Sequence, residues 1–278
     1  MKIGIIGLGL MGGSLAKAIT GYTDHSCAGY DIQKEVLSAA LEDGCIQEQL
    51  SLDELERLDL TLVCLSPSET INFVLQHKTS FRPGSIVLDI CGVKAPHVSM
   101  LTELLAEHRV FFVGTHPMAG REQSGFAAAL AELFQGASFI ITPTAHTPQR
   151  IVDFVSSFAL SLGFGEVILA SPEEHDQRVA YTSQLAHLVS SAYVKSPTLA
   201  NEHGFSAGSF HDMTRVAQLN PTMWSQLFLL NRVALLRELE ELQNHLSEYH
   251  TALTNDDEAA LIQLLADGSA KKIASLNK

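Results

Sequence analysis

The chain has 278 residues, 46% of them hydrophobic and 18% charged, the composition of a folded protein long enough for two domains with a core each. Its net charge of −13 argues against nucleic acid or an anionic membrane surface as partner, and leaves room for an anionic small molecule only where cations gather in one cleft. Cys27, Cys45, Cys64 and Cys91 show no C-x-x-C spacing and the twelve histidines no H-E-x-x-H, so reduced cysteines and no metal site are expected.

The opening MKIGIIGLGLMGGSLAKAI has the charged start, apolar run and small-residue end of a secretory signal peptide. It reads equally well as a strand over residues 2–6, a glycine turn and a helix over 10–19. The following residues decide between the two. A second apolar run, beginning at Cys27, ends in Gly29-Tyr30-Asp31 and puts a carboxylate 24 positions after Gly7, near the ~20-residue offset of a ribose-binding acid. A signal peptide has no use for that acid. Strand-like runs at 60–65, 86–90, 110–113, 139–142 and 167–169 then alternate with helical patterns. The alternation predicts an α/β fold with a Rossmann-type, mostly parallel sheet covered on both faces, in a cytoplasmic protein.

After about Ser171 the pattern is helical throughout. Pro172, Glu173 and Glu174 suit a first helical turn. Leu227, Leu230, Ala234, Leu235, Leu239, Leu242, Leu246 and Tyr249 recur every three or four residues and predict one long helix over 224–249. A dinucleotide-binding domain is therefore placed at 1–170 and an all-helical domain at 171–278, its apolar stripe facing either its own bundle or a second chain.

Gly7-Leu8-Gly9-Leu10-Met11-Gly12 fits G-x-G-x-x-G. The first glycine makes the tight turn, the second lets backbone approach a pyrophosphate, and the third lets helix pack on strand. The helix start offers N–H groups to the phosphates. These six residues, Asp31 and Ser66 form the expected cofactor-binding set. Asp31 favours NAD, since a carboxylate accepts hydrogen bonds from a free ribose 2′-hydroxyl and repels a 2′-phosphate; it could also cap the next helix.

After the run at 110–113, Gly114-Thr115-His116-Pro117-Met118-Ala119-Gly120 lies at a strand's carboxyl end, the edge where open α/β sheets bind ligands. Pro117 restricts His116 to extended geometry, so its imidazole sits on a stiff segment aimed at the cleft, either as a site group or as a solvent-facing loop histidine.

The glycine loop, Gly92-Val93-Lys94, Thr115-His116-Pro117-Met118-Ala119-Gly120, Ser171-Pro172-Glu173-Glu174-His175-Asp176 and Phe210-His211-Asp212-Met213-Thr214-Arg215 come in the order found in the prephenate/arogenate dehydrogenase family of tyrosine biosynthesis. Over nearly all of residues 1–250 the chain resembles that family. The resemblance implies a dinucleotide-binding domain joined to a helical dimerisation domain, hence a homodimer, with NAD-dependent oxidative decarboxylation of a small cyclohexadiene substrate, prephenate or arogenate. It implies that His116 accepts the proton of the substrate's C4 hydroxyl and that Arg215 grips a substrate carboxylate. Glu122 and Asp212 match acids that hold this arginine, while His187, Lys94 and Trp224 match further substrate contacts. Prephenate is the expected substrate and arogenate the alternative; a β-hydroxyacid-type dehydrogenase or an NAD-binding scaffold without chemistry are the other readings. The chain departs from the family at Gly92, where many members carry Ser, at Gln184 and Ala186, which stand for His and Pro, and at His211, often Lys or Arg.

Overall fold

The computed structural model describes residues 1–121 and 123–276. Strand β1 (Lys2–Ile6), the opening segment, buries side chains on both faces, as a central parallel strand must. There follow α1 (Leu10–Tyr22), β2 (Ser26–Tyr30), α2 (Lys34–Asp43), β3 (Glu48–Gln49), β4 (Leu60–Val63), α3 (Pro67–His77), β5 (Ile86–Asp89), α4 (Val98–Ala106), β6 (Phe111–Pro117), β7 (Ser138–Thr142), α5 (Gln149–Ser161) and β8 (Glu166–Leu169). The strands lie in the order β3-β2-β1-β4-β5-β6-β7-β8. Among the described residues only β6 and β7 pair antiparallel. The order reverses between β1 and β4, so a crevice opens at their carboxyl ends, where such folds bind ligands.

Two apolar layers hold the sheet. One is built on Leu15, Ile19, Phe134, Val155 and Phe158, the other on Phe73, Val74, Leu101, Leu105 and Phe112. Strand β6 runs on to Pro117, past the predicted 110–113, because β7 zips along it with His116 opposite Ile140 and Pro117 opposite Phe139. His116 is thus held in a strand and not in a loop. Strand β3, two polar residues long, has no apolar run to mark it in the sequence. The cysteines are unpaired, and burial pushes the Cys27 and Cys45 thiols up to about 12.

The later elements are α6 (Pro172–Val179), a π-helical turn (Ala180–Leu185), α7 (Ala186–Tyr193), α8 (Gly208–Thr214), α9 (Pro221–Leu230), α10 (Arg232–Thr254) and α11 (Glu258–Leu276). Side chains of Ser171 and Asn220 cap α6 and α9 by accepting the N–H of Glu174 and Met223. The long helix predicted over 224–249 is two helices. It breaks at Asn231 (φ −109°, ψ 23°), whose buried amide donates to the Asp176 carbonyl and to Gln184 Oε1, both at 2.8 Å. Packing also divides the chain there, into units 1–231 and 232 onward. In the second unit α10 and α11 are joined by a tight turn in which Asp257 Oδ1 accepts the N–H of Ala260. These two helices leave Leu246, Leu253, Ile262, Leu265, Ile273 and Leu276 exposed. Among the described residues no helix is long and apolar enough to cross a membrane.

Candidate active site

The glycine loop is built as its spacing requires. Gly7 has φ +90°, and a Cβ on Gly12 would stand 1.9 Å from the Gly7 carbonyl oxygen, so neither position accepts a side chain. A Cβ on Gly9 would meet nothing within 4 Å, which leaves an open approach to the start of α1. Gly9 is the N-cap and offers no capping side chain, so Leu10 and Met11 in the first turn present backbone N–H groups to that opening. This cradle fits a dinucleotide pyrophosphate.

Leu8 serves the acid instead, for its side chain is buried and its N–H donates to Asp31 Oδ2 at 2.8 Å. Asp31 Oδ1 accepts the N–H of Gln33, the residue capping α2, at 2.9 Å. Each carboxylate oxygen keeps a lone pair for a ribose hydroxyl. Ser66, beyond the end of β4, is the N-cap of α3 in a reciprocal capping box with Glu69. Its hydroxyl also donates to Glu69 Oε2 at 2.7 Å, so the side chain is engaged in starting the helix.

His116 is half-buried, and Nδ1 lies 2.8 Å from His175 Nε2. His175 Nδ1 lies 2.7 Å from Asp176 Oδ1. A carboxylate can only accept, so His175 carries a proton on Nδ1, and in the neutral ring its Nε2 is an acceptor. His116 must then donate from Nδ1, and its Nε2 carries a lone pair. That nitrogen faces the strap after β5, where a Cβ on Gly92 would come within 3.9 Å of it. Burial first, then the neighbouring His175 and the Lys94 ammonium, hold His116 well below the usual imidazole value of 6.5; Asp89 acts in the opposite direction. The ring is therefore a neutral acceptor at neutral pH.

Asp176 Oδ1 also accepts the N–H of Lys94 at 2.8 Å, and Oδ2 that of Ala95 at 2.9 Å. Lys94 is fully buried, its ammonium 2.6 Å from Asp89 Oδ2. The side chain expected to meet substrate thus lies inside the protein, paired with a carboxylate.

A Cβ on Gly92 would also lie 3.7 Å from Leu227 Cδ2, which brings α9 beside His116. Trp224, three residues earlier on the same face, stacks on His187 with ring centroids 4.1 Å apart. His187 Nδ1 donates to the Ser183 carbonyl at 2.8 Å and leaves Nε2 as an acceptor. Ser190 Oγ donates to the Met213 carbonyl at 2.7 Å, fastening α8 to α7; Asp212 lies exposed on α8 and Arg215 exposed at its end. Glu122 lies outside the described residues. Gln184, in place of the family histidine, is buried and bonded to Asn231 and to the Leu227 carbonyl. In the sequence His175 and Asp176 stand out only as part of a motif; the signal that could mark them is a His-Asp pair in the first turns of a capped helix.

Two family models match the chain: the nucleotide-binding domain of prephenate dehydrogenase over residues 15–170 and its dimerization domain over 171–267. The cyclohexadienyl dehydrogenase of Zymomonas mobilis is 32% identical, over 98% of this chain and 95% of its own. The crystal structure of prephenate dehydrogenase from Aquifex aeolicus, in complex with hydroxyphenyl propionate and NAD+, superposes with a TM-score of 0.88 at 28% identity, covering 99% of this chain and 98% of that one. The Synechocystis arogenate dehydrogenase structure gives 0.84 at 27% identity, over 99% and 100%.

Proposed function

Because the chain belongs to the prephenate dehydrogenase family and is an NAD-dependent dehydrogenase, we propose that its reaction is the oxidative decarboxylation of prephenate to 4-hydroxyphenylpyruvate, with His116 accepting the proton of the ring hydroxyl. The observation that carries this reading is the Asp176–His175–His116 chain, which ends in one unprotonated ring nitrogen beside Gly92. The Gly7–Gly12 loop and Asp31 would hold NAD, which would supply the acceptor for the ring C4 hydride. The protein's own residues bind, orient and move the proton. His116 Nε2 receives the hydroxyl proton, the C1 carboxylate leaves as CO2, and as the ring becomes aromatic the proton returns from His116 to the ring oxygen of the product. The acceptor needs no prior deprotonation, since its surroundings keep it neutral.

Arg215 would grip the side-chain carboxylate with its planar fork, a role for which lysine is a poor substitute. The Trp224–His187 stack would form an aromatic wall one turn from Leu227. Arogenate differs from prephenate in bearing an ammonium, which would want a free acid. Glu122 and Asp212 are the candidates, and the family pattern commits both to Arg215. Prephenate is therefore the preferred substrate, although named relatives include an arogenate and a cyclohexadienyl dehydrogenase. The deciding assay follows reduced nicotinamide with both substrates and both cofactors. A higher kcat/KM for arogenate would reverse the choice, and no turnover of either would favour an NAD-binding scaffold.

Asp31 gives the cofactor preference. Asp31→Ser is expected to narrow the preference for NAD over NADP, read as the ratio of kcat/KM values; equal use of both by the unaltered enzyme would contradict the charge argument. Residues 171–278 would supply the dimer contact of a cytoplasmic homodimer, since α10 and α11 carry eight large exposed apolar side chains, Val233 to Leu276. Sedimentation at micromolar concentration should give a dimer, and a monomer would refute this.

A further inference from the structure

We propose that the buried Asp89–Lys94 pair is the positioning device of this active site: it folds the strap after β5 so that strap N–H groups orient Asp176 and, through it, the His175–His116 pair. The proposal rests on the reading of His116 given above. Asp89 ends β5 fully buried, and its Oδ2 gathers three donors from the strap: Lys94 Nζ at 2.6 Å, the Cys91 N–H at 3.0 Å and His97 Nε2 at 3.1 Å. The strap is wrapped around one carboxylate oxygen.

Removing two charges from water is costly, and apolar residues of similar volume would commonly hold a core at least as well. The pair is therefore poorly explained as a stabiliser. What it does fix is the path of the chain. Lys94 is bonded at both ends of its structure: the side chain reaches Asp89, and the main-chain N–H reaches Asp176 Oδ1, with the Ala95 N–H on Oδ2. Those two N–H groups set the carboxylate plane that holds His175 Nδ1–H, and so decide which nitrogen of His116 carries a proton.

The same cluster also touches β6. The Lys94 stem lies 3.3 Å from where a Cβ on Gly114 would stand, and Thr115 Oγ1 donates to the Asp89 carbonyl at 2.5 Å, immediately before His116. Asp89, Cys91 and His97 bring an oxygen, a sulfur and a nitrogen within 4.8 Å of one another, a spacing that would suit a cation. The cation there is the lysine's own ammonium, tethered to the strap it must position.

The test is ¹⁵N NMR of the histidine rings in the full-length protein, with steady-state kinetics alongside. In the unaltered protein His116 should show a single Nδ1–H tautomer. Lys94→Met should move those signals toward a mixture and lower kcat by about tenfold or more, with KM within about threefold. Unmoved His116 signals in this variant would overturn the proposal, whether or not kcat falls. Moved signals with unchanged kcat would uphold the positioning and count instead against His116 as the proton acceptor. Should Lys94→Met fail to fold, the double variant Asp89→Asn/Lys94→Met removes both charges and strands neither. Displaced His116 signals are expected there too, and wild-type signals would overturn the proposal.

Discussion

His116→Asn is expected to lower kcat by about 100-fold or more while leaving KM for prephenate within a few-fold. Asparagine keeps a polar group in the strand, and its amide can still donate toward His175. It offers no basic nitrogen to the substrate hydroxyl, so the loss falls on the step in which the proton moves. The pH profile provides a second check on the same residue. The working form is neutral, and the folded protein holds His116 well below 6.5; kcat/KM should therefore stay level as pH falls through 6.5 and decline only well below it. A variant of near-normal kcat, or a limb at or above 6.5 that disappears with the imidazole, would remove His116 from this role. Linkage has the same sign. The unfolded chain binds a proton at this position near 6.5 and the folded one only at lower pH, so acidification below 6.5 costs stability.

His116 and Asp31 are legible in the sequence because strand-end position is legible: each follows an apolar run at the sheet edge where ligands bind. The sheet itself is legible for the same reason, since buried parallel strands such as Leu60–Val63 and Ile86–Asp89 are mostly apolar runs, broken only by Thr61 and Asp89. What escapes is decided by partners distant in sequence. Gly114-Thr115-His116-Pro117 has the composition of a turn and becomes strand because β7 pairs with it. The apolar period passes through Asn231 without a break, and only the buried partners Asp176 and Gln184 show why the helix stops there. Lys94 reads as a strand-end lysine free to reach substrate or solvent. Its burial follows from Asp89, five residues earlier, a buried acid at a strand's end that needs a cation. Spacing in the sequence reveals a carboxylate and a lysine, but not that they face each other. The histidine relay is hidden on the same ground, since His175 joins His116 from a different domain of the family pattern, 59 residues away along the chain.

Asp176→Asn should lower kcat by a further large factor of its own, about 100-fold relative to the unaltered enzyme, again with little change in KM. The substitution is nearly isosteric, but it turns one acceptor oxygen into a donor. Three groups now donate to this side chain: His175 Nδ1, the Lys94 N–H and the Ala95 N–H. An asparagine can keep its oxygen toward His175 and Lys94 only by pointing its NH2 at the Ala95 N–H, donor against donor, which the strap cannot relieve without shifting. With the amide reversed, the NH2 faces His175 Nδ1 and the Lys94 N–H. His175 then becomes an acceptor at Nδ1 and carries its proton on Nε2, where it donates to His116 Nδ1. His116 must in turn hold its own proton on Nε2, the nitrogen that faces Gly92 and the substrate. The base is then present, in place and in the wrong tautomer. Asp176→Ala, by contrast, leaves the two strap N–H groups without an acceptor and should cost stability as well as turnover. The measurement is kcat and KM for both variants beside their thermal midpoints. A fully folded Asp176→Asn enzyme of undiminished kcat would show that the proton does not travel by way of His116 Nε2.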